Sequence, residues 1–239
     1  MKACVEALTK LPGVWRGGEL EHALQPVVPT GHAALDRELP GGGWPTGTLS
    51  EVLHDGVGIG EVTFLAHALA RACAANRMLA WVNPPHLPYA PALAQAGIAL
   101  ERCLVIRPAY REDGWWAAEQ TLRSGLCAAL LLWLGDATQY ALLRRLQMAA
   151  AAGRSMAVLF QSTAIERLST PAHLRVILDR AQGRLNIRIP KRRGPPLTTP
   201  VSIAAGLRLK PKDIPSDALA RAVPGLAPIR PVSVPFVVS

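Results

Sequence analysis

Apolar positions along this chain follow two periods in turn. From about residue 48 to 190, short apolar runs alternate with segments whose apolar residues recur every three or four positions. Thr48 to Leu53 reads as a strand that leads into a glycine-rich turn, Asp55-Gly-Val-Gly-Ile-Gly60. Val62 to Asn76 then carries Leu65, Leu69, Ala72 and Cys73 at helical spacing. Met78 to Val82 is a second strand, stopped by Pro84 and Pro85, and Ala90 to Ala96 a short helix with Gly97 as its cap. Cys103 to Ile106 reads as strand and Trp115 to Leu126 as helix. The run from Ala128 to Leu134 is apolar throughout, as a central strand covered on both faces requires. Ala137 to Ala152 is helical, with Leu142, Leu146 and Ala149 or Ala150 on one side and Arg144 and Arg145 on the other. Met156 to Phe160 closes the series as a strand.

Such alternation predicts an α/β fold with a mainly parallel, doubly wound sheet. The period then changes. Leu174 to Ala181 and Arg184 to Ile189 flank Gln182-Gly183, and Leu185, Ile187 and Ile189 alternate with Asn186 and Arg188, which predicts an antiparallel hairpin extending the sheet. Beyond Lys191-Arg-Arg-Gly-Pro-Pro196 only Val201 to Leu209 reads as strand, and no internal repeat is present.

Composition narrows the classes. Half of the 239 residues are hydrophobic, which excludes wholesale disorder. No apolar stretch approaches the roughly 18 residues that span a bilayer, and Met1 to Lys10 lacks the order of a signal peptide. Cys4, Cys73, Cys103 and Cys127 lie far apart with no CxxC pair, so they read as reduced, mostly buried thiols of a cytosolic protein rather than metal ligands. The net charge is +9, and it is uneven. Residues 1–183 hold 16 Lys/Arg against 15 Asp/Glu, whereas residues 184–239 hold 10 against 2, together with 10 of the 21 prolines. The division expected is an arm at 1–27, a core at 28–193 and a basic, proline-rich tail at 194–239. Lys191, Arg192 and Arg193, then Arg208, Lys210 and Lys212, form two basic clusters suited to phosphate or an acidic partner, or to a solvated linker.

The glycine turn stands where a phosphate-binding P-loop would. Such a loop needs G-x-x-x-x-G-K-[ST], with amides that cradle phosphate, a lysine on the outer phosphates and a hydroxyl on magnesium. Here Asp55, Gly56, Gly58 and Gly60 are followed by Glu61 in the lysine position and Val62 in the hydroxyl position. Thr63 supplies a hydroxyl only with a one-residue shift of register. A carboxylate at a helix N-terminus suits the helix dipole and repels a triphosphate that would use the same amides.

Val28-Pro-Thr-Gly31-His-Ala-Ala-Leu35-Asp36 through Pro45-Thr-Gly47-Thr-Leu-Ser-Glu51 resembles the segment leading into the P-loop of RecA-type recombinases. The likeness continues through Asn83-Pro-Pro-His86, Ala94-Gln-Ala-Gly97 and Glu119-Gln120-Thr-Leu122-Arg123-Ser124-Gly125, and covers roughly residues 28–193. It implies a RecA-like P-loop NTPase core with the nucleotide motifs degenerate. The lysine falls at Glu61, the water-positioning carboxylate at Pro85 and the aspartate ending the second motif strand at Trp133, with Asp136 three residues too late. A proline is no base and an indole holds no Mg²⁺, so loss of nucleotide hydrolysis is expected, with nucleotide binding left open. The DNA-contacting loops of the recombinases have no counterpart either: a helix occupies the stretch from Leu134 to Ser155, and Ser162 to His173 is too short.

Together with Val14-Trp15-Arg16-Gly17, Trp44-Pro45-Thr-Gly47, Trp115-Trp116-Ala-Ala-Glu119 and Arg144-Arg145-Leu146-Gln147, these features are similar to the ImuA family, the SulA-like, RecA-related partners in bacterial damage-induced mutagenesis. The resemblance implies a cytoplasmic, nucleoid-associated accessory protein in SOS-induced translesion synthesis. It would bind ImuB, an inactive Y-family polymerase relative, and through it an error-prone replicative-type polymerase and the sliding clamp, with RecA a further candidate partner. No clamp-binding peptide of the glutamine–leucine–phenylalanine kind occurs, so clamp contact would be indirect. The alternatives are a sequence-independent DNA-binding recombination mediator, contacting DNA through the basic tail, and, on fold analogy alone, a SulA-like inhibitor of cell division.

Candidate partner contacts follow from chemistry. Trp115 and Trp116 are about 100° apart on a helix and cannot both face the core, so one is a candidate interface anchor. Arg144 and Arg145, opposite an apolar stripe, suit solvent or an acidic partner. His86 has no ligand-type residue at suitable spacing and reads as a capping histidine.

Overall fold

The computed structural model describes residues 26–204 apart from 57, 75, 137–138, 195–196 and 198. β1 (Val27–Val28) pairs antiparallel with β2 (Trp44–Pro45), with a short helix, α1 (Ala33–Asp36), between them. The series continues as β3 (Thr48–Leu53), α2 (Glu61–Cys73), β4 (Met78–Val82), α3 (Ala90–Gln95), β5 (Cys103–Ile106), α4 (Arg111–Arg123), β6 (Cys127–Leu132), α5 (Tyr140–Gly153) and β7 (Met156–Gln161). It ends in β8 (Leu174–Ala181), β9 (Arg184–Lys191) and β10 (Val201–Ala204).

Eight strands form one sheet in the order β5-β4-β6-β7-β3-β8-β9-β10. The strands from β5 to β8 run parallel, and β9 and β10 are antiparallel additions. The β8–β9 turn is Gln182-Gly183, with φ of 51° and 70°. Two successive positive φ values match the right-handed twist of the flanking strands. Along β6, Ala129 and Leu131 enter one core with Phe64, Leu65 and Leu69 of α2, while Leu130 and Leu132 enter another with Trp115 and Leu122 of α4 and Leu143 and Leu146 of α5. A strand covered on both faces keeps no polar position, which explains its unbroken apolar run.

Several boundaries and one helix register differ from the sequence expectation. α4 begins at Arg111, because Tyr110 is an extended N-cap and Glu112 and Asp113 fill the first turn, a charged turn that apolar periodicity passes over. It ends at Arg123, where Gly125 takes a φ of 71° and leaves Leu126 exposed. In α5 the buried stripe is Leu143, Leu146, Ala149 and Ala150, with Leu142 only half-buried, one position on from the expected register. The sheet also runs past residue 193: β10 pairs with β9 through Val201↔Ile187 and Ile203↔Leu185, and both Val201 and Ile203 are buried. Alternation over only four residues, isolated among prolines, is too short to assign a strand to a sheet from sequence. Trp15, Arg208, Lys210 and Lys212 lie outside the described residues.

Cys73 and Cys127 are buried and Cys103 half-buried, all as free thiols, and desolvation pushes Cys73 and Cys127 up to about 11. Among the described residues no helix is long and apolar enough to cross a membrane.

Candidate functional site

In an open parallel sheet, ligands sit beyond the carboxyl ends of the strands. The loop leaving β3 there enters α2 at Gly60, whose φ of 101° is left-handed. A Cβ at this position would meet nothing within 4 Å, so backbone twist rather than crowding calls for glycine. Glu61, expected from the sequence resemblance in the lysine position of a P-loop, is only 7% exposed. Its Oε2 accepts the Gly60 N–H at 3.1 Å. The chain's own carboxylate thus holds an amide that a phosphate would take, at the positive end of a 13-residue helix. Val62 packs on the core, and Thr63 is half-buried one residue beyond the usual hydroxyl position.

Asp55 binds away from the amides. It accepts the Thr163 N–H at 3.2 Å, the Ser162 hydroxyl at 3.3 Å and the Thr163 hydroxyl at 2.5 Å. The hydrogen bonds from Thr163 hold its carboxyl below the ordinary value. Asp136, in the loop after β6, accepts the Ser162 N–H at 2.8 Å, while its carbonyl takes Arg111 Nη2 at 2.7 Å. Two carboxylates therefore converge on the exit of β7 and fasten it, a juxtaposition with no signal in sequence spacing.

Trp133 fills the crevice from the other side. Its ring is parallel to Phe160 at 4.3 Å and to Trp81 at 5.9 Å between centroids. Its backbone N–H donates to the Val82 carbonyl at 3.0 Å, and Asn83 Nδ2 donates to its carbonyl at 2.8 Å. Three flat rings thereby close the ends of β4, β6 and β7. Pro85 and His86 are exposed on the loop after β4. A cavity of about 240 Å³ remains beside the glycine loop, lined among others by His32, Thr63, Phe64, Arg180 and Ile203.

No family model matches the chain. It is 31% identical to RecA 1 of Myxococcus xanthus over 109 residues, 46% of this chain and 32% of that protein. To RecA of Leifsonia xyli it is 32% identical over 130 residues, 52% of this chain and 36% of that protein. To RecA of Nocardia farcinica it is 34% identical over 107 residues, 44% of this chain and 30% of that protein.

The chain is RecA-related. It spans about a third of the length of the curated relatives it matches. The mixed sheet with helices on both faces is an α/β, RecA-like fold.

On this RecA-related core the expected partner contacts separate. Trp115 is 9% exposed and packs in the core, whereas its neighbour Trp116 is 62% exposed. Both line a cavity of about 550 Å³ between α4 and α5, with Arg145 on its other wall. Arg145 bonds Glu119 at 2.5 Å and Arg144 is exposed. Of the first basic cluster, Lys191 donates to the Thr170 carbonyl at 2.5 Å, Arg192 bonds Glu38, and Arg193 is exposed. Two of these three cations therefore fasten β9 to the body.

Sequence reasoning missed a buried pair. Glu51, wholly buried in β3, accepts Arg175 Nε of β8 at 2.7 Å and Gln161 Nε2 of β7 at 3.0 Å. Arg175 Nη1 reaches the carbonyls of Glu166 and Leu168 at 2.7 and 2.8 Å. The available signal was a charge beside an apolar run in each strand, Glu51 before Val52-Leu53 and Arg175 between Leu174 and Val176-Ile177-Leu178, since such charges are buried only when paired.

Proposed function

We propose that this RecA-related chain serves DNA repair as a non-catalytic adaptor of the ImuA kind in SOS-induced, error-prone translesion synthesis. It has given up nucleotide hydrolysis and works by binding an inactive Y-family polymerase relative of the ImuB type, with the error-prone polymerase and clamp reached through that partner. The observation that carries the reading is the Glu61 carboxylate on the Gly60 N–H, an anion held inside the loop where phosphate would otherwise lie. Support comes from Trp133 stacked on Phe160, which occupies with an indole the strand end where the recombinases place an acid. Near-neutral charge over residues 1–183 also favours a protein partner over DNA for the body.

The test is ATP turnover by pure protein, with binding to a pure ImuB-type partner measured in parallel. No turnover is expected, and Glu61→Lys alone should not create it, because Pro85 and Trp133 remain. ATP hydrolysis that disappears when Gly60 is replaced by a bulky residue overturns the non-catalytic reading. Failure to bind the partner overturns the adaptor reading.

A further inference from the structure

The C-terminal ends of α4 and α5 meet backbone to backbone: a Cβ on Gly153 would stand 1.8 Å from the Leu122 carbonyl oxygen. Toward their N-terminal halves the helices part, and the cavity of about 550 Å³ opens between them. Its floor is Trp115, Leu142 and Leu146, and Trp116 stands on its wall with 62% of its surface in solvent. Tyr110, the N-cap of α4, and Tyr140, the first residue of α5, are 71% and 49% exposed. An exposed tryptophan beside an apolar floor with a charged rim has the composition of an interface centre.

The rim charges have a direction. Arg123 and Arg145 share one carboxylate, Glu119, which is nearly buried while the two arginines are 54% and 58% exposed. That end carries an excess positive charge. The opposite end holds Glu112 and Asp113 in the first turn of α4 and Asp136 in the loop before α5, against the single guanidinium of Arg111. Helices favour acids in their first turn and bases in their last, and their dipoles pair best antiparallel.

We infer that the groove between the N-terminal halves of α4 and α5 receives an amphipathic helix of the partner protein, running antiparallel to α4. Its apolar stripe seats on Trp116, Leu142 and Leu146. The acids of its first turn meet Arg123 and Arg145, and the bases of its last turn meet Glu112 and Asp113. This rests on the adaptor reading, and it names the surface and the kind of element that reading leaves open.

The experiment uses the full chain and a pure ImuB-type partner. Trp116→Ala should weaken the complex about 30-fold, the level of an interface hot spot, with the circular dichroism unchanged because the ring is exposed. Arg145→Gln should lower the on-rate and flatten its dependence on salt. Leu168→Ala, an exposed apolar residue on the loop before β8, should have no effect. A photo-crosslinking phenylalanine analogue at position 116 should capture a helical segment with acids at its start. A complex that forms but is changed less than two-fold by Trp116→Ala and Arg145→Gln, or a crosslink to a non-helical segment, overturns the groove while leaving the adaptor reading intact. Absence of any complex overturns both.

Discussion

Glu51→Gln is the most exacting test of how this sheet is held. The side chains of Glu51 and Arg175 are 0% and 4% exposed, so neither charge has water to fall back on. An amide at position 51 keeps the shape and can still accept from Arg175 Nε. Gln161 can turn its own amide to match, so the hydrogen bonds survive in altered form. What disappears is the negative charge, and the guanidinium is left buried without a counter-ion. Removing one partner of a buried pair costs about 3–5 kcal/mol, against a total of roughly 5–15 kcal/mol for a domain. The assay is urea unfolding followed by far-UV circular dichroism. The midpoint should fall by about a fifth or more, with the slope unchanged. Arg175→Met should cost at least as much, since it also leaves the Glu166 and Leu168 carbonyls short of a donor. The double variant Glu51→Leu/Arg175→Met should recover part of the loss, because an apolar pair needs no desolvation of charge, while the Glu166 and Leu168 carbonyls still lack the Arg175 donor. A Glu51→Gln protein within about 1 kcal/mol of the parent refutes the argument, since it would mean the pair sits in an effectively wet site.

Other expectations are as direct. Arg77→Ala removes donors to the carbonyls of Gly125, Gly153 and Arg154 at 3.1, 2.7 and 3.2 Å, and should cost about 2–3 kcal/mol, with hydrogen exchange quickening at the ends of α4 and α5. Arg77→Lys should rescue it only partly, since an ammonium cannot span the fork. Trp133→Ala should cost about 2–3 kcal/mol, less than a fully buried tryptophan, and should erase the near-UV circular dichroism of the stacked rings. Burial lowers the pKa of His32 below 6.5, so the unfolded chain binds its proton more readily. His32 therefore contributes fully above pH 6.5 and the contribution is lost as pH falls through the lower folded value. NMR titration of His32 should give a midpoint below 6.5, and His32→Asn should flatten the stability-against-pH curve on that acid side.

The parallel series was legible because each element carries a period of its own. β6 reads as apolar throughout since both its faces are covered, and the Gln182-Gly183 turn declares itself by residue type. The start of α4 was not legible, because Glu112 and Asp113 serve the helix dipole rather than the core. Glu61 could be assigned to the loop from its position. That its carboxylate bends back to Gly60 depends on a side-chain torsion that no spacing encodes. The fastening of Asp55 and Asp136 to Ser162 and Thr163 is a long-range pairing, formed only when β3, β6 and β7 lie side by side. For the same reason Lys191 and Arg192 read as free cations beside Arg193, when two of the three are spent on Thr170 and Glu38.

Arg77 gives the α4–α5 pair a mechanical character. Its guanidinium grips carbonyls at the foot of both helices, where Gly153 already lets the two backbones touch. The pair is hinged at one end like a pair of tongs, and the cavity lies between the jaws. A wedge driven between the N-terminal halves would pivot about Arg77 and pull on Asp136, whose carboxylate holds the Ser162 amide and whose carbonyl holds Arg111. Through Asp136 the open end of the tongs is tied to the exit of β7, beside the glycine loop.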